Sequence, residues 1–307
     1  MTTSSDMQHL PKGTEIRGKW NGKLYRLERL LGKGSNGQVY LATSGSRATY
    51  AIKLGHEATE LQGEVNILAS LDHSEKDRPP FLLDVDDVIL QGVKVPFYVM
   101  KFVPGIPVKD YLQQQGSHWI GVVGYRLLER LTQLHEVGWV FGDIKSDNVL
   151  VNEYGRVELV DYGGASAIGR SVRQFTEIYD RGYWSAGSRM ADPAYDLFAV
   201  AMLWLHALDS KRLIQLTKTM LPQNRHPREL IKLVRSNSRL QPVENWMEKA
   251  LTGQFEHSRE ASQQWREAVR LSQKVKVPDD RVKGWMAGLL GGAIILSTSA
   301  VIIWLLQ

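Results

Sequence analysis

The sequence predicts a two-lobed α+β fold: a small β-rich lobe, a larger helical lobe, and one membrane-spanning helix at the C-terminal end. Three observations predict it. Extended segments of alternating apolar character crowd the first hundred residues, helical spacing takes over after Pro104-Gly105, and every residue from 285 to 306 is apolar, Gly, Ser or Thr. A chain of 307 residues suits one large domain or two small ones, and its 43% hydrophobic and 23% charged content excludes wholesale disorder. With no cysteine, a disulfide scaffold, a Cys-ligated zinc site and a thiol nucleophile are all excluded.

The opening segment, residues 1–21, has neither an apolar core nor a cleavage-site pattern, so no signal peptide is expected. Residues 24–30 and 38–42 read as strands around a Gly-bearing turn, and residues 49–54 as a third strand. Leu61, Val65, Leu68 and Leu71 then recur at helical spacing. Residues 85–102 are again β-rich, with 93–100 the clearest strand. Residues 122–135 carry Leu127, Leu128, Leu131 and Leu134 and read as a helix. Short β-like runs at 149–151 and 157–160 precede a region that is helical from Tyr195 onward, broken near Pro222, Pro227, Pro242 and Gly253. The organisation expected is therefore an N-terminal segment 1–21, a folded domain 22–271, a basic juxtamembrane linker 272–283, and a span 284–307.

Twenty-two helical residues rise about 33 Å, against a hydrocarbon core of about 30 Å. The competing reading is a buried C-terminal core helix. Lys274, Lys276, Arg281 and Lys283 precede the span. By the positive-inside tendency the flank, and with it the folded domain, is expected in the cytoplasm, anchored in the cell membrane by its tail. Gly284, Gly288 and Gly292 recur every fourth residue, a stripe along which two spans could pack as a homodimer.

Four pieces of sequence carry chemistry. Gly32, Gly34 and Gly37, followed by Val39, sit in a hairpin whose backbone could approach phosphate oxygens without an obstructing Cβ. Lys53 ends the apolar strand Tyr50-Ala-Ile-Lys53, and Glu64 on the following helix could hold its ammonium in place. Gly142-Asp-Ile-Lys-Ser-Asp-Asn148 is followed by Asp161-Tyr-Gly163. Any one of these has an ordinary explanation: a common Gly turn, a snorkelling lysine, a solvated glutamate, a polar loop. Together they supply what phosphoryl transfer from a magnesium nucleotide needs. Asp143 can orient an attacking hydroxyl, Lys145 can neutralise the γ-phosphate, and Asn148 and Asp161 offer hard oxygen ligands to the metal.

In that order and spacing the residues resemble the Hanks-type (eukaryotic-like) serine/threonine protein kinases, from about residue 22 to 270. The resemblance implies the two-lobed protein kinase fold and transfer of the γ-phosphate of ATP, with Mg2+, to Ser/Thr hydroxyls of proteins, the kinase itself included. It implies that Gly32, Gly34 and Gly37 cover the phosphates, that Lys53 contacts them while paired with Glu64, and that Met100 is the gatekeeper beside an adenine hinge of Lys101 and Phe102. Asp143 and Lys145 are the implied catalytic residues, Asn148 and Asp161 the implied metal ligands, and Asp196 a buried brace of the catalytic loop. The sequence also departs from the family. Phe141-Gly142 stands where His-Arg usually precedes the aspartate, so a phosphate on Ser166, Ser171 or Thr176 lacks its usual arginine, and these hydroxyls are expected to be dispensable for basal activity. Ala-Pro-Glu is missing, and Arg181-Gly-Tyr-Trp184 occupies its place. Gly18-Lys-Trp-Asn-Gly22, Phe141-Gly-Asp143, Asp180-Arg-Gly-Tyr-Trp184 and the hydrophobic tail resemble a membrane-anchored branch of the family from spore-forming bacilli, implying a link to sporulation and a response to DNA. Two alternatives stay open: a pseudokinase acting as a membrane-tethered binding module, and a small-molecule phosphotransferase.

Charge is unevenly spread. Residues 211–283 hold 16 basic and 8 acidic residues, leaving the first 210 at a net charge of −3. Arg228, Lys232, Arg235 and Arg239 fall at i, i+4, i+7 and i+11, one face of a helix expected between Pro227 and Pro242. Such a face is either simply solvated or meets the phosphates of DNA or anionic lipid.

Overall fold

Alternate residues of the first strands are buried, and that alternation builds a curled antiparallel sheet. The strands are β1 (Glu15–Arg17), β2 (Leu24–Gly34), β3 (Gly37–Ser44) and β4 (Ala48–Gly55); helix α1 (Ala58–Ser74) follows, then β5 (Leu82–Leu90) and β6 (Val93–Lys101). Their order in the sheet is β1-β2-β3-β4-β6-β5. The structure is a computed structural model that describes residues 9–34, 36–45, 48–74, 80–173 and 176–275. The hydrophobic span, its Gly284, Gly288 and Gly292 stripe, and linker residues 276–283 lie outside the described residues. Among the described residues no helix is long and apolar enough to cross a membrane.

One face of the sheet buries Tyr25, Leu27, Tyr40, Ile52, Phe97 and Val99. The other packs Ala51, Tyr98 and Met100 against Leu61, Val65 and Leu68 of α1, the face the 3.6-residue spacing marks as apolar. Gln91 and Gly92, both at positive φ, make the two-residue turn between β5 and β6. The segment read as an N-terminal extension belongs to this lobe. Ile16 is fully buried between exposed Glu15 and Arg17, and β1 pairs with β2. The turn after it, the Gly18–Gly22 motif, closes on the open edge of β5: the Trp20 and Asn21 amides donate to the Asp86 carboxylate, and the Lys19 amide to the Asp87 carbonyl. That edge would otherwise present unpaired backbone groups.

The second lobe contains β7 (Ile106–Pro107), α2 (Val108–Gln115), α3 (Ile120–Glu136), β8 (Trp139–Val140), β9 (Val149–Val151), β10 (Val157–Leu159), β11 (Ser166–Ala167), α4 (Pro193–Thr219), α5 (Pro227–Arg235), α6 (Glu244–Leu251) and α7 (Ser258–Val275). Helix α4 is buried along most of its first half and bends at Asp209, whose backbone leaves the helical region. α7 runs four residues into the stretch read as a linker from 272.

Helix α5 is shorter than its basic spacing suggests. It ends at Arg235, because the Asn237 side chain accepts the Arg239 amide and turns the chain. Arg239 is therefore off the helix, with its guanidinium on the Leu208 carbonyl. Lys232 is bound by Glu229 at 2.8 Å and Arg235 by Glu248 at 2.6 Å. The four cations read as one stripe are not one helical face, and two of them are already paired.

Trp265 of α7 anchors the helical lobe. Its ring meets Trp246 edge-on at 4.8 Å and Trp204 at 6.0 Å, and its indole N–H donates to the Gly121 carbonyl of α3 at 2.9 Å. Replacing a fully buried Trp leaves a cavity and an orphaned carbonyl. Trp265→Ala is expected to cost about 3–5 kcal/mol, read as a lower urea midpoint by tryptophan fluorescence and circular dichroism.

Candidate active site

Register places the first part of the site. In the sheet Lys53 lies directly opposite Val39 on one side and Tyr98 on the other, so all three share the face turned toward α1. Glu64 comes from α1. The Lys53 ammonium donates to both Glu64 oxygens at 2.7 Å and to Asp161 Oδ1 at 2.8 Å. Burial alone would discharge the lysine, but the carboxylates of Asp161 and Glu64 outweigh it and raise its pKa. Burial also raises Glu64, whose environment is only partly relieved by Lys53 and the Tyr98 hydroxyl. Asp161 goes the other way: burial opposes ionisation, but Lys53, Lys145 and the Gly163 amide hold its carboxyl below the usual aspartate range. Asp161 sits at φ +63°, ψ +75°, an uncommon conformation outside glycine and one concentrated at functional sites.

The glycine hairpin lies over this cluster. A Cβ on Gly34 would stand 3.9 Å from Asp161 Oδ2, and one on Gly32 would meet no protein atom. Gly37, at φ +146°, pairs with Gly34, and a Cβ there would collide with the Leu54 carbonyl at 2.1 Å. Met100 is buried in the sheet–α1 core behind the hinge. The Lys101 amide is already donated to the Phe81 carbonyl at 2.9 Å. Of the two hinge residues, the Lys101 N–H is thus consumed inside the protein and does not face adenine.

The second part is held from below. Asp196, fully buried in α4, accepts the Phe141 amide at 2.7 Å, the Gly142 amide at 2.9 Å and His135 Nε2 at 2.9 Å. These bonds fix the backbone just before Asp143. Gly142 has φ +80°, and a Cβ there would meet the Gly164 carbonyl at 2.7 Å. A side chain there would be strained and the Gly164 carbonyl would have to shift, so the glycine that departs from the usual sequence suits this backbone. Asp143 Oδ2 receives the Lys145 ammonium at 2.6 Å, and the Asn148 amide donates to the Asp143 carbonyl at 2.8 Å.

Sequence reading missed two features. Thr176, expected to be dispensable, donates its hydroxyl to Asp143 Oδ1 at 3.0 Å and belongs to the site. Ser166 is buried in β11, turned to the Gly164 carbonyl, and is no exposed phosphate acceptor; Ser171 is exposed. In place of Ala-Pro-Glu stand two crossed ion pairs. Buried Asp180 takes the Gly182 and Tyr183 amides, Arg189 and the Tyr195 hydroxyl, while Arg181 binds Asp192, which also caps α4. No local pattern announces these pairs, because their partners are nine and eleven residues apart. A cavity of about 590 Å3 opens beside Lys145 and Thr176, between α2 and α4.

The donor set fits a magnesium nucleotide. Because Asn148 Nδ2 is turned to Asp143, its Oδ1 remains as a neutral hard ligand, the Asp161 carboxylate is a second, and Lys53 and Lys145 offer cations to phosphates. When bound, the metal would supply, with these cations, neutralisation of charge on the transferring phosphoryl group. The Asp143 carboxylate is the group that could orient an acceptor hydroxyl and take its proton.

Known proteins agree with this geometry. The protein kinase domain family matches residues 25–278. The chain is 37% identical over 273 residues to the serine/threonine-protein kinase YabT of Bacillus subtilis, covering 88% of this chain and 78% of that protein. It is 29% identical over 213 residues to the eye isozyme of protein kinase C from Drosophila melanogaster, spanning 65% of this chain and 29% of that one. Its fold is similar to the structure of vaccinia related kinase 3, with a TM-score of 0.63 at 18% identity over 89% of this chain and 95% of that one. The chain belongs to the protein kinase family, as a Hanks-type serine/threonine kinase close to YabT, and its cofactors are ATP and Mg2+.

Three predictions follow from these contacts. Asp143→Asn and Lys53→Met should each lower kcat by at least about 100-fold, the scale of a lost transition-state contact, with little change in circular dichroism. Thr176→Ala should lower kcat without matching Asp143→Asn. As pH falls, Glu64 should protonate above the usual 4.5 while Asp161, held low, stays ionised. Protonation removes the charge that positions Lys53, so kcat/KM for ATP should fall on an acid limb above pH 4.5 that is absent in Glu64→Gln.

Proposed function

We propose that this serine/threonine protein kinase works from a membrane surface, anchored by residues 284–307 with its kinase domain in the cytoplasm, and phosphorylates Ser/Thr hydroxyls of protein substrates and of itself. The observation that carries turnover is the complete assembly of Lys53, Glu64, Asp161, Asp143, Lys145 and Asn148 in bonding contact. A pseudokinase has no reason to keep every one. The uncharged tail and its basic flank support the anchor, and the Gly284, Gly288 and Gly292 stripe supports self-association that would bring two kinase domains together. A role in sporulation rests on the likeness to the kinase from Bacillus subtilis.

The basic face is proposed to meet phosphates of duplex DNA or anionic lipid, with a changed membership. Lys211 and Lys218, one above the other on α4, and Arg228 at the start of α5 have no acidic partner among the described residues, whereas Lys232 and Arg235 do. Incubation of the full chain with labelled ATP and Mg2+, with and without duplex DNA, tests turnover and its response together. Flotation with neutral phosphatidylcholine vesicles tests the anchor: the full chain should float and a chain ending at 275 should not. Lys211→Gln, Lys218→Gln and Arg228→Gln combined should weaken binding to DNA or to phosphatidylglycerol vesicles more than Lys232→Gln with Arg235→Gln. For DNA the log–log salt slope should flatten by about 0.9 per lost phosphate contact. Unchanged affinity for both would make the face merely solvated.

A further inference from the structure

The Lys53–Glu64 pair has a third member. Tyr98, fully buried on β6, donates its hydroxyl to Glu64 Oε2 at 2.8 Å. The register that sets Tyr98 opposite Lys53 puts both donors on the same face, aimed at one carboxylate on α1. We propose that Tyr98 is a positioning residue: its hydroxyl clamps Glu64, and so α1, in the arrangement that holds Lys53 for the nucleotide, and this replaces the help a phosphorylated activation segment would give.

Two independent observations support the second half. Gly142 leaves no side chain to receive a phosphate, and its backbone would strain one. The segment after Asp161 is fastened instead by Asp180 with Arg189, Arg181 with Asp192, and Thr176 with Asp143. Nothing in that set touches Glu64. The charged and titratable groups facing Glu64 are Lys53 from β4, Tyr98 from β6 and Asp161 from the loop after β10, and Asp161 repels it. Lys53 is shared with Asp161, so its attachment to Glu64 can be drawn away; among the described residues the Tyr98 hydroxyl has Glu64 alone. A hydrogen bond from a phenol to a buried carboxylate is charge-assisted and stronger than a neutral one.

Tyr98→Phe removes the hydroxyl and keeps the ring, so the core remains filled. In the full chain, with casein as acceptor, Tyr98→Phe should lower kcat/KM for ATP about three- to tenfold, or about 0.6–1.4 kcal/mol at 1.36 kcal/mol per decade. KM for casein should be unchanged. In a Glu64→Ala background the same substitution should have no further effect, because it acts through Glu64. Phosphatase treatment should leave wild-type activity intact. Unchanged kcat/KM in Tyr98→Phe, an equal loss in the Glu64→Ala background, or a rise in the KM for casein would each overturn the positioning role. Loss of wild-type activity on dephosphorylation would overturn the claim that the clamp stands in for a phosphate.

Discussion

A lysine ammonium buried between two carboxylates is the constraint on which the rest of the site depends. Taking Lys53 and Glu64 out of water is costly, and the cost is offset while the two stay hydrogen-bonded to each other and Lys53 to the more exposed Asp161 carboxylate. They come from β4, α1 and the loop after β10, so satisfying them fixes the two lobes against each other. The apolar packing follows the same line. Tyr162, next to Asp161, packs edge-on to Phe141 at 5.4 Å and reaches both the sheet–α1 core and the core of the helical lobe. Charge pairing and burial thus agree on one arrangement, which is what allows a site assembled from distant segments to be well defined.

The catalytic loop is organised by the opposite device, neutral amides converging on one buried anion. Asp196 accepts from Phe141, Gly142 and His135, while Ser258, the first residue of α7, holds the other ring nitrogen of His135 at 2.8 Å. A carboxylate that only accepts requires the proton on Nε2 of His135, so in the neutral ring Nδ1 accepts from Ser258. The loop carrying Asp143, Lys145 and Asn148 is then rigid before any substrate arrives. Pre-organisation of this kind lowers the reorganisation needed at the moment of transfer.

How much of this was legible in the sequence follows from how far apart the partners lie. The hairpin glycines, Lys53, Glu64, Asp143, Lys145, Asn148 and Asp161 could be named because their residue types suit a magnesium nucleotide and their order and spacing resemble those of the kinase family. Tyr98 could not, because a tyrosine in an apolar strand reads as core until the register sets it beside Lys53. β1 escaped because three residues with one buried isoleucine carry too little alternation to be seen. Arg239 was placed on a helix because charge spacing ignores the Asn237 side chain that ends it. Asp180 and Arg181 were hidden for a related reason: an ion pair leaves no periodic trace.

The glycine before the catalytic aspartate explains why these unseen residues matter. With φ +80° and the Gly164 carbonyl 2.7 Å from where a Cβ would stand, the backbone at Gly142 would strain any side chain, and the glycine leaves no arginine to receive a phosphate. The activation segment and α1 are instead held by contacts that need no phosphate. The segment is held by Asp180, Arg181 and Thr176, and α1 by Glu64 between Lys53 and Tyr98. Control over this kinase then also has room to act outside the loop, through delivery of substrate or through what meets the cations on α4 and α5 that have no acidic partner among the described residues.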